Sequence, residues 1–194
     1  KQRFLDEAAW LGFPSFTKPA NLGSSVGISR CTNLASLAAG IEAAFLHDNK
    51  ILVEQAIVGR EIECGVIGND DPRPSVCGEV LAAGDFYDYV SKYVDTESRT
   101  VVPAAIPEPV AEVVRKYSVR AFKAVDAAGM ARVDFFYQEG GRGVVVNEIN
   151  TIPGFTAISM FPQLWGATGL DYPDLIEKLF ELALKRHAAK RRGP

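Results

Sequence analysis

The sequence predicts an α+β fold in which neighbouring strands pair and helices cover the resulting sheets. Two stretches supply paired strands: KILVEQAIVGREIECGVIGN, broken at Val58-Gly59-Arg60, and ARVDFFYQEGGRGVVVNEIN, broken by the Gly-rich loop QEGGRG. Three amphipathic stretches, near residues 32–44, 107–128 and 172–188, read as helices. A chain of 194 residues with 47% hydrophobic content can bury a substantial core as one domain or two small lobes.

Composition narrows the function classes. A net charge of -3 argues against a general nucleic-acid binder, and the basic run from Lys185 to Arg192 reads as a last helical turn and a frayed tail. No apolar run approaches transmembrane length and no signal-peptide pattern opens the sequence, so no membrane association is expected. Cys31, Cys64 and Cys77 are odd in number, lack metal-ligand spacing and lie in apolar contexts. Buried thiols in a reducing cytoplasmic compartment are the expectation.

KQRFLDEAAWLGFP reads as the end of a helix with a stripe of Phe4, Leu5, Ala8, Ala9 and Leu11, stopped by Gly12 and Pro14. PSFTKPANLGSSVGISRC follows as strand, loop and strand. Lys18 precedes the Pro19 turn, and Gly23, Ser24, Ser25 and Gly27 let backbone N–H groups approach an anion. The loop is no Walker A motif, and most Gly-Ser loops are only turns; the adjoining lysine is what favours phosphate contact. Thr32 or Asn33 caps a helix with apolar residues Leu34, Leu37, Ala38, Ile41 and Phe45. Glu54 interrupts an apolar strand, where it is either an exposed edge residue or an acceptor for a ribose, and Glu61 and Glu63 share one face of the next strand.

A strand near Ser75 to Leu81 leads into GDFYDYVSKYVDTESRT, which has no helical or strand period. Its aromatic content points to a functional loop, a lid at about 84–100, with Lys92 as a phosphate contact and Tyr93 as a hydrogen-bond donor. The helix at 107–128 should turn Val110, Val113, Val114, Tyr117, Ala121 and Val125 inward and end at Gly129. The last helix should bury Leu175, Ile176, Leu179, Leu182 and Ala183. His187 reads as a charge near its C-terminus, not a base.

The chemistry concentrates between Ala131 and Pro162. Arg132 and Asp134 share a strand face, as do Glu148 and Asn150. A register that pairs Asp134 with Glu148 also pairs Arg132 with Asn150, so one face would hold two carboxylates, an amide and a guanidinium. Hard oxygen donors predict Mg2+ or Mn2+, and magnesium commonly completes its shell with phosphates and water. A solvated surface hairpin is the plain alternative, but the flanking Val144, Val145, Val146 and Ile149 and the Asn-Glu-Ile-Asn ending favour a site. A Gly/Pro-rich turn carrying Ser159 follows.

KPANLGSSVG, LVEQ with GREIEC, FYDYVSKY, GMARVDFF and NEINTIPGFTAISMFPQLW, in this order, resemble the D-alanine:D-alanine ligases of the ATP-grasp superfamily from about Leu11 to the last helix. The resemblance implies two lobes with antiparallel or mixed sheets and a nucleotide between them. Residues 1–54 would be part of the small central lobe, 55–194 the C-terminal lobe, and the family's N-terminal domain would lie outside this chain. Lys18 and Lys92 would contact ATP phosphates, Glu54 and Glu61 the ribose, Phe86 and the backbone of Gln55, Ala56 and Ile57 the adenine, with Ser25 in the Gly-Ser loop. Asp134, Glu148 and Asn150 would hold two Mg2+ or Mn2+ ions about 3.5–4 Å apart. Arg132 and the Gly154 N–H would stabilise the oxyanion, Ser159 and the Met160 backbone would bind the second substrate's carboxylate, and Ser24 with Tyr93 would close the lid. The implied reaction joins two D-alanines through an acyl phosphate, in an enzyme whose relatives are commonly homodimers. Tyr93 within SKY favours the dipeptide over a D-alanyl-D-lactate product.

Overall fold

The computed structural model describes residues 2–23, 25–81, 99–156 and 158–190. The chain divides into two compact units, residues 1–58 and residues 59–81 with 99–194. The expected α+β class is observed, with helices packed on antiparallel sheets in each unit.

The first unit opens with α1 (Gln2–Ala9) and builds a three-stranded sheet from β1 (Ser15–Pro19), β2 (Ser29–Cys31) and β3 (Ile51–Gln55), in the order β2-β1-β3. Helix α2 (Leu34–Phe45) covers it. Asn33 is the cap: its side chain accepts from the Ser36 N–H at 2.9 Å, and Ser36 Oγ accepts from the Asn33 N–H at 3.1 Å. Leu37 and Ile41 pack with Ala8 and Cys31, whereas Leu34 and Phe45, expected inside, are exposed. Alternation puts Ser15, Thr17 and Pro19 in the interior and Lys18 on the opposite face.

The second unit is a five-stranded antiparallel sheet, β6-β5-β4-β7-β8. Its strands are β4 (Arg60–Gly68), β5 (Arg73–Leu81), β6 (Arg99–Val101), β7 (Gly129–Gln138) and β8 (Gly143–Asn150). Strand β6 is a correction, because Arg99 and Thr100 were expected to be lid and instead pair with Leu81 and Val80. Helix α3 (Glu108–Ala124) covers one face, packing Ala111, Val114 and Phe122 onto Ile62, Cys64, Val66, Val133, Phe135 and Tyr137. Val113 and Val125, expected on that inward face, are exposed, because the stripe runs through Ala111, Val114, Ser118 and Phe122. The helix stops at Ala124, four residues before the expected end, and Gly129 opens β7.

Two helices pack on the opposite face. Helix α4 (Met160–Thr168), which begins just after the expected turn at Ser159 and has no counterpart among the expected helices, and α5 (Tyr172–Lys190) lay Phe161, Trp165, Leu175 and Leu182 over Ile67 and Met130. Ala183, expected in this core, is exposed. Close approach of α4 depends on Gly65, where an added Cβ would lie 2.9 Å from Trp165 Nε1 and 3.2 Å from Phe161. Both rings are buried and have little room to give.

A Gly65→Ala substitution is therefore expected to destabilise the chain by about 1–3 kcal/mol, the usual cost of overpacking. Urea unfolding followed by tryptophan fluorescence checks it; an unchanged midpoint would refute the role given to this glycine.

Candidate functional site

The sheet face opposite α3 carries the charge. The β7–β8 register is Asp134 with Glu148 and Arg132 with Asn150, the pairing expected from the sequence. A β-bulge between Asp134 and Phe135 leaves Asn147 as an extra residue on β8. Val144 and Glu148 are four residues apart and would share a face on a regular strand. With the bulge, Val144 packs against the α3 core while Glu148 stands opposite Asp134.

Arg132 organises this face. Its Nε donates to Asp134 Oδ1 at 2.7 Å and its Nη2 to Asp134 Oδ2 at 2.7 Å, a two-pronged pairing that suits a planar guanidinium. Strand β4 adds a second partner, an ion pair: Glu63, directly opposite Asp134, places Oε2 2.9 Å from Arg132 Nε. The side chains of Arg132, Glu63 and Asp134 are only 21%, 13% and 12% exposed, so water screens them weakly. Burial acts to lower the Arg132 pKa, but the hydrogen bond and charge of Asp134, with Glu63 and Glu148, outweigh it and raise the pKa. The guanidinium stays charged throughout the working pH range.

Asn150 Nδ2 donates to Asp134 Oδ2 at 2.9 Å and reaches Glu148 Oε1 at 3.4 Å. An amide N–H2 thus lies between the two carboxylates, where a cation would be drawn, and turning the amide would present Oδ1 instead. This all-oxygen donor set fits a hard divalent cation. Among the described residues no three His, Cys, Asp or Glu side chains group as a metal cluster, so the fit is to two carboxylates and an amide.

Beyond β8 the chain turns toward α4. Ser159 stands at the α4 N-cap; its Oγ accepts from the Thr156 N–H at 3.0 Å and lies 2.8 Å from Thr156 Oγ1. Gly154 presses on it, since a Cβ there would be 3.0 Å from Ser159 Oγ. Phe155 anchors the turn between Phe161 and Tyr172, and the Tyr172 hydroxyl donates to the Phe155 carbonyl at 2.9 Å. Met160 is the first residue of the helix, where backbone N–H groups have no intrahelical acceptor.

The remaining expected residues fall elsewhere. In the first unit Lys18 Nζ pairs with Glu54 Oε2 at 2.9 Å, joining two residues that were expected to meet different parts of a nucleotide. Ser25 sits in a turn with φ +60°, and Ala56 commits its N–H to the Pro14 carbonyl at 3.0 Å, which leaves its carbonyl to offer. Gln55 ends β3, and Ile57 lies between β3 and β4. Glu61 is on β4, on the same face as Glu63. Ser24, Phe86, Lys92 and Tyr93 lie outside the described residues. The sequence reading noted Glu63 but gave it no role; only its pairing with Asp134 reveals one.

Helices packed on antiparallel sheets in each of the two units are the fold of the ATP-grasp type. The family model described as D-ala D-ala ligase C-terminus matches residues 1–181, and the chain belongs to that family. A D-alanine--D-alanine ligase of Bacillus cytotoxicus is 52% identical over 182 residues, covering 94% of this chain and 50% of the relative. The structure of the Coxiella burnetii D-alanine-D-alanine ligase superposes with a TM-score of 0.82 at 38% identity, over 98% of this chain and 49% of that one. A Bacillus anthracis D-alanine--D-alanine ligase complexed with ATP gives a TM-score of 0.77 at 29% identity, over 95% of this chain and 58% of that one. The chain spans about half the length of the curated relatives it matches.

Arg132→Ala would leave the carboxylates of Glu63 and Asp134 uncompensated in a poorly hydrated setting. It is expected to cost about 3 kcal/mol of folding stability, the lower end for breaking a buried pair. Arg132→Lys should recover only part of this, since an ammonium cannot reproduce the fork. Urea titrations of the three proteins at neutral pH give the comparison, and equal midpoints would overturn it.

Proposed function

We propose that this chain is the ATP- and cation-binding part of a D-alanine:D-alanine ligase, a cytoplasmic enzyme of peptidoglycan precursor synthesis that acts on two D-alanines. One observation carries the reading: Arg132, Asp134, Glu148 and Asn150 meet on a single sheet face in a chain that belongs to this family. Residues 1–58 would be part of the central lobe and 59–81 with 99–194 the C-terminal lobe; the boundary falls after β3, which runs to Gln55, and not at the expected 54. The full-length protein would be a homodimer.

Asp134, Glu148 and Asn150 would hold one or two Mg2+ or Mn2+ ions. When bound, such ions neutralise charge on phosphate oxygens. The chain's own residues bind and orient the reactants. Lys18 and Lys92 would meet phosphates, with Ser25 in the adjoining loop; Glu54 and Glu61 would accept from the ribose, and Phe86 with the backbone of Gln55, Ala56 and Ile57 would flank the adenine. The α4 N-terminus supports the role of Ser159 and Met160: a hydroxyl and unsatisfied helix N–H groups suit a substrate carboxylate.

In the reaction, the carboxylate of one D-alanine would attack the γ-phosphorus of ATP, breaking the bond to the β,γ-bridging oxygen, so that ADP leaves and an acyl phosphate forms. The amine of the second D-alanine then attacks the acyl carbon, and phosphate leaves. Arg132, held charged by its carboxylate partners, and the Gly154 N–H would stabilise the oxyanion between these events. Ser24 and Tyr93 would close the site against water. Catalysis here is positioning and charge stabilisation, with no covalent bond to the chain.

The test is phosphate release from ATP and Mg2+ by this chain with D-alanine, set against D-serine and D-lactate as second substrates. Release that depends on D-alanine and stops with EDTA is the expected result. Metal-dependent ATP binding without release would confine this chain to the nucleotide and cation site, and absence of ATP binding would overturn the assignment. In the enzyme at the full length of its relatives, Arg132→Ala is expected to cost roughly 3–4 kcal/mol of transition-state stabilisation, as for loss of one oxyanion donor. Near-normal kcat/KM in that variant would remove Arg132 from the mechanism.

A further inference from the structure

We propose that Glu63 is a positioning residue that retains Arg132 at the site when a divalent cation takes Asp134, an inference that rests on the ligase reading above. Arg132 and a cation require the same atoms. The guanidinium occupies both oxygens of Asp134 at 2.7 Å, and Oδ2 also accepts from Asn150. Two positive groups cannot share one carboxylate without repulsion. A cation coordinated by Asp134 therefore weakens the hold on Arg132, the group that must stay in place to meet the oxyanion.

The strand order resolves this conflict. In the sequence of neighbours β4-β7-β8, Asp134 lies in the middle, Glu148 is its partner on one side and Glu63 its partner on the other. The cation donors Glu148 and Asn150 are thus on the β8 flank, and Glu63 is on the β4 flank. Displaced from the β8 side, the guanidinium moves toward a second carboxylate whose Oε2 is already 2.9 Å from its Nε. Glu63 is also well buried, so its charge is poorly screened and its rotamer is confined.

The test follows the Arg132 Nε–H directly in two-dimensional 1H–15N NMR spectra of this chain, with the signal assigned by its loss in Arg132→Lys. Without metal, Asp134 holds the group, so wild type and Glu63→Gln should both show a distinct, slowly exchanging signal. On adding Mg2+ and ADP, the wild-type signal should persist. In Glu63→Gln it should exchange with water about tenfold faster, the equivalent of losing one hydrogen bond to a charged partner. A role that only supports the fold would alter both states alike.

Persistence of the signal in Glu63→Gln with Mg2+ and ADP overturns the proposal. So does its loss from the wild-type protein under those conditions, a result that needs no variant to fold. If Mg2+ and ADP shift no resonance of the wild-type site, the ligase reading falls and the role of Glu63 falls with it.

Discussion

The two-pronged contact between Arg132 and Asp134 is the interaction on which this sheet face depends. Strands β4, β7 and β8 bring Glu63, Asp134 and Glu148 side by side on one surface, and three carboxylates so arranged would repel one another. The guanidinium offsets that repulsion from within the same row, and its rigid fork fixes the direction of Asp134 as well. The face is consequently prepared for ligands that are anionic and bring their own cations.

Different helices pack on the two faces of this sheet. Helix α3 seals the other side of the sheet over its length with large apolar side chains. On the face that carries Arg132, α4 and α5 cover the end built from Gly65, Ile67, Gly78 and Met130. Two glycines in adjacent strands let α4 settle deeply at that end, which fixes its N-terminus and hence Ser159. The core packing and the turn that carries Ser159 are thus set by one contact, Phe161 and Trp165 against the sheet. Phe155 extends the same cluster into the loop.

Helix and strand chemistry that depends on near neighbours was readable in the chain. The alternation of Arg132 with Asp134 and of Glu148 with Asn150, the cap at Asn33 and the apolar positions Leu37, Ile41, Val114, Leu175 and Leu182 are local patterns, and the structure follows them. Errors arose where one stripe had to be chosen among several apolar possibilities. Val113 and Val125 are as hydrophobic as Val114, yet only one orientation of α3 fits Phe122 against the sheet. Helix α4 was hidden because its glycine- and proline-rich surroundings resemble a turn, and Pro162 is tolerated there only because it falls in the first helical turn.

The sequence by itself determined the α+β class, the polar face of the last hairpin and the family, since strand parity, loop chemistry and ordered motifs are properties of the linear chain. Only the tertiary structure decided the partnership of Glu63 with Arg132, because it depends on β4 lying beside β7 across some seventy residues of chain, and pairing between distant strands leaves no periodic mark. The same holds for the bulge at Asn147. A single inserted residue turns Val144 inward and Glu148 outward, and its presence follows from what each face must pack against, not from the residues that compose it.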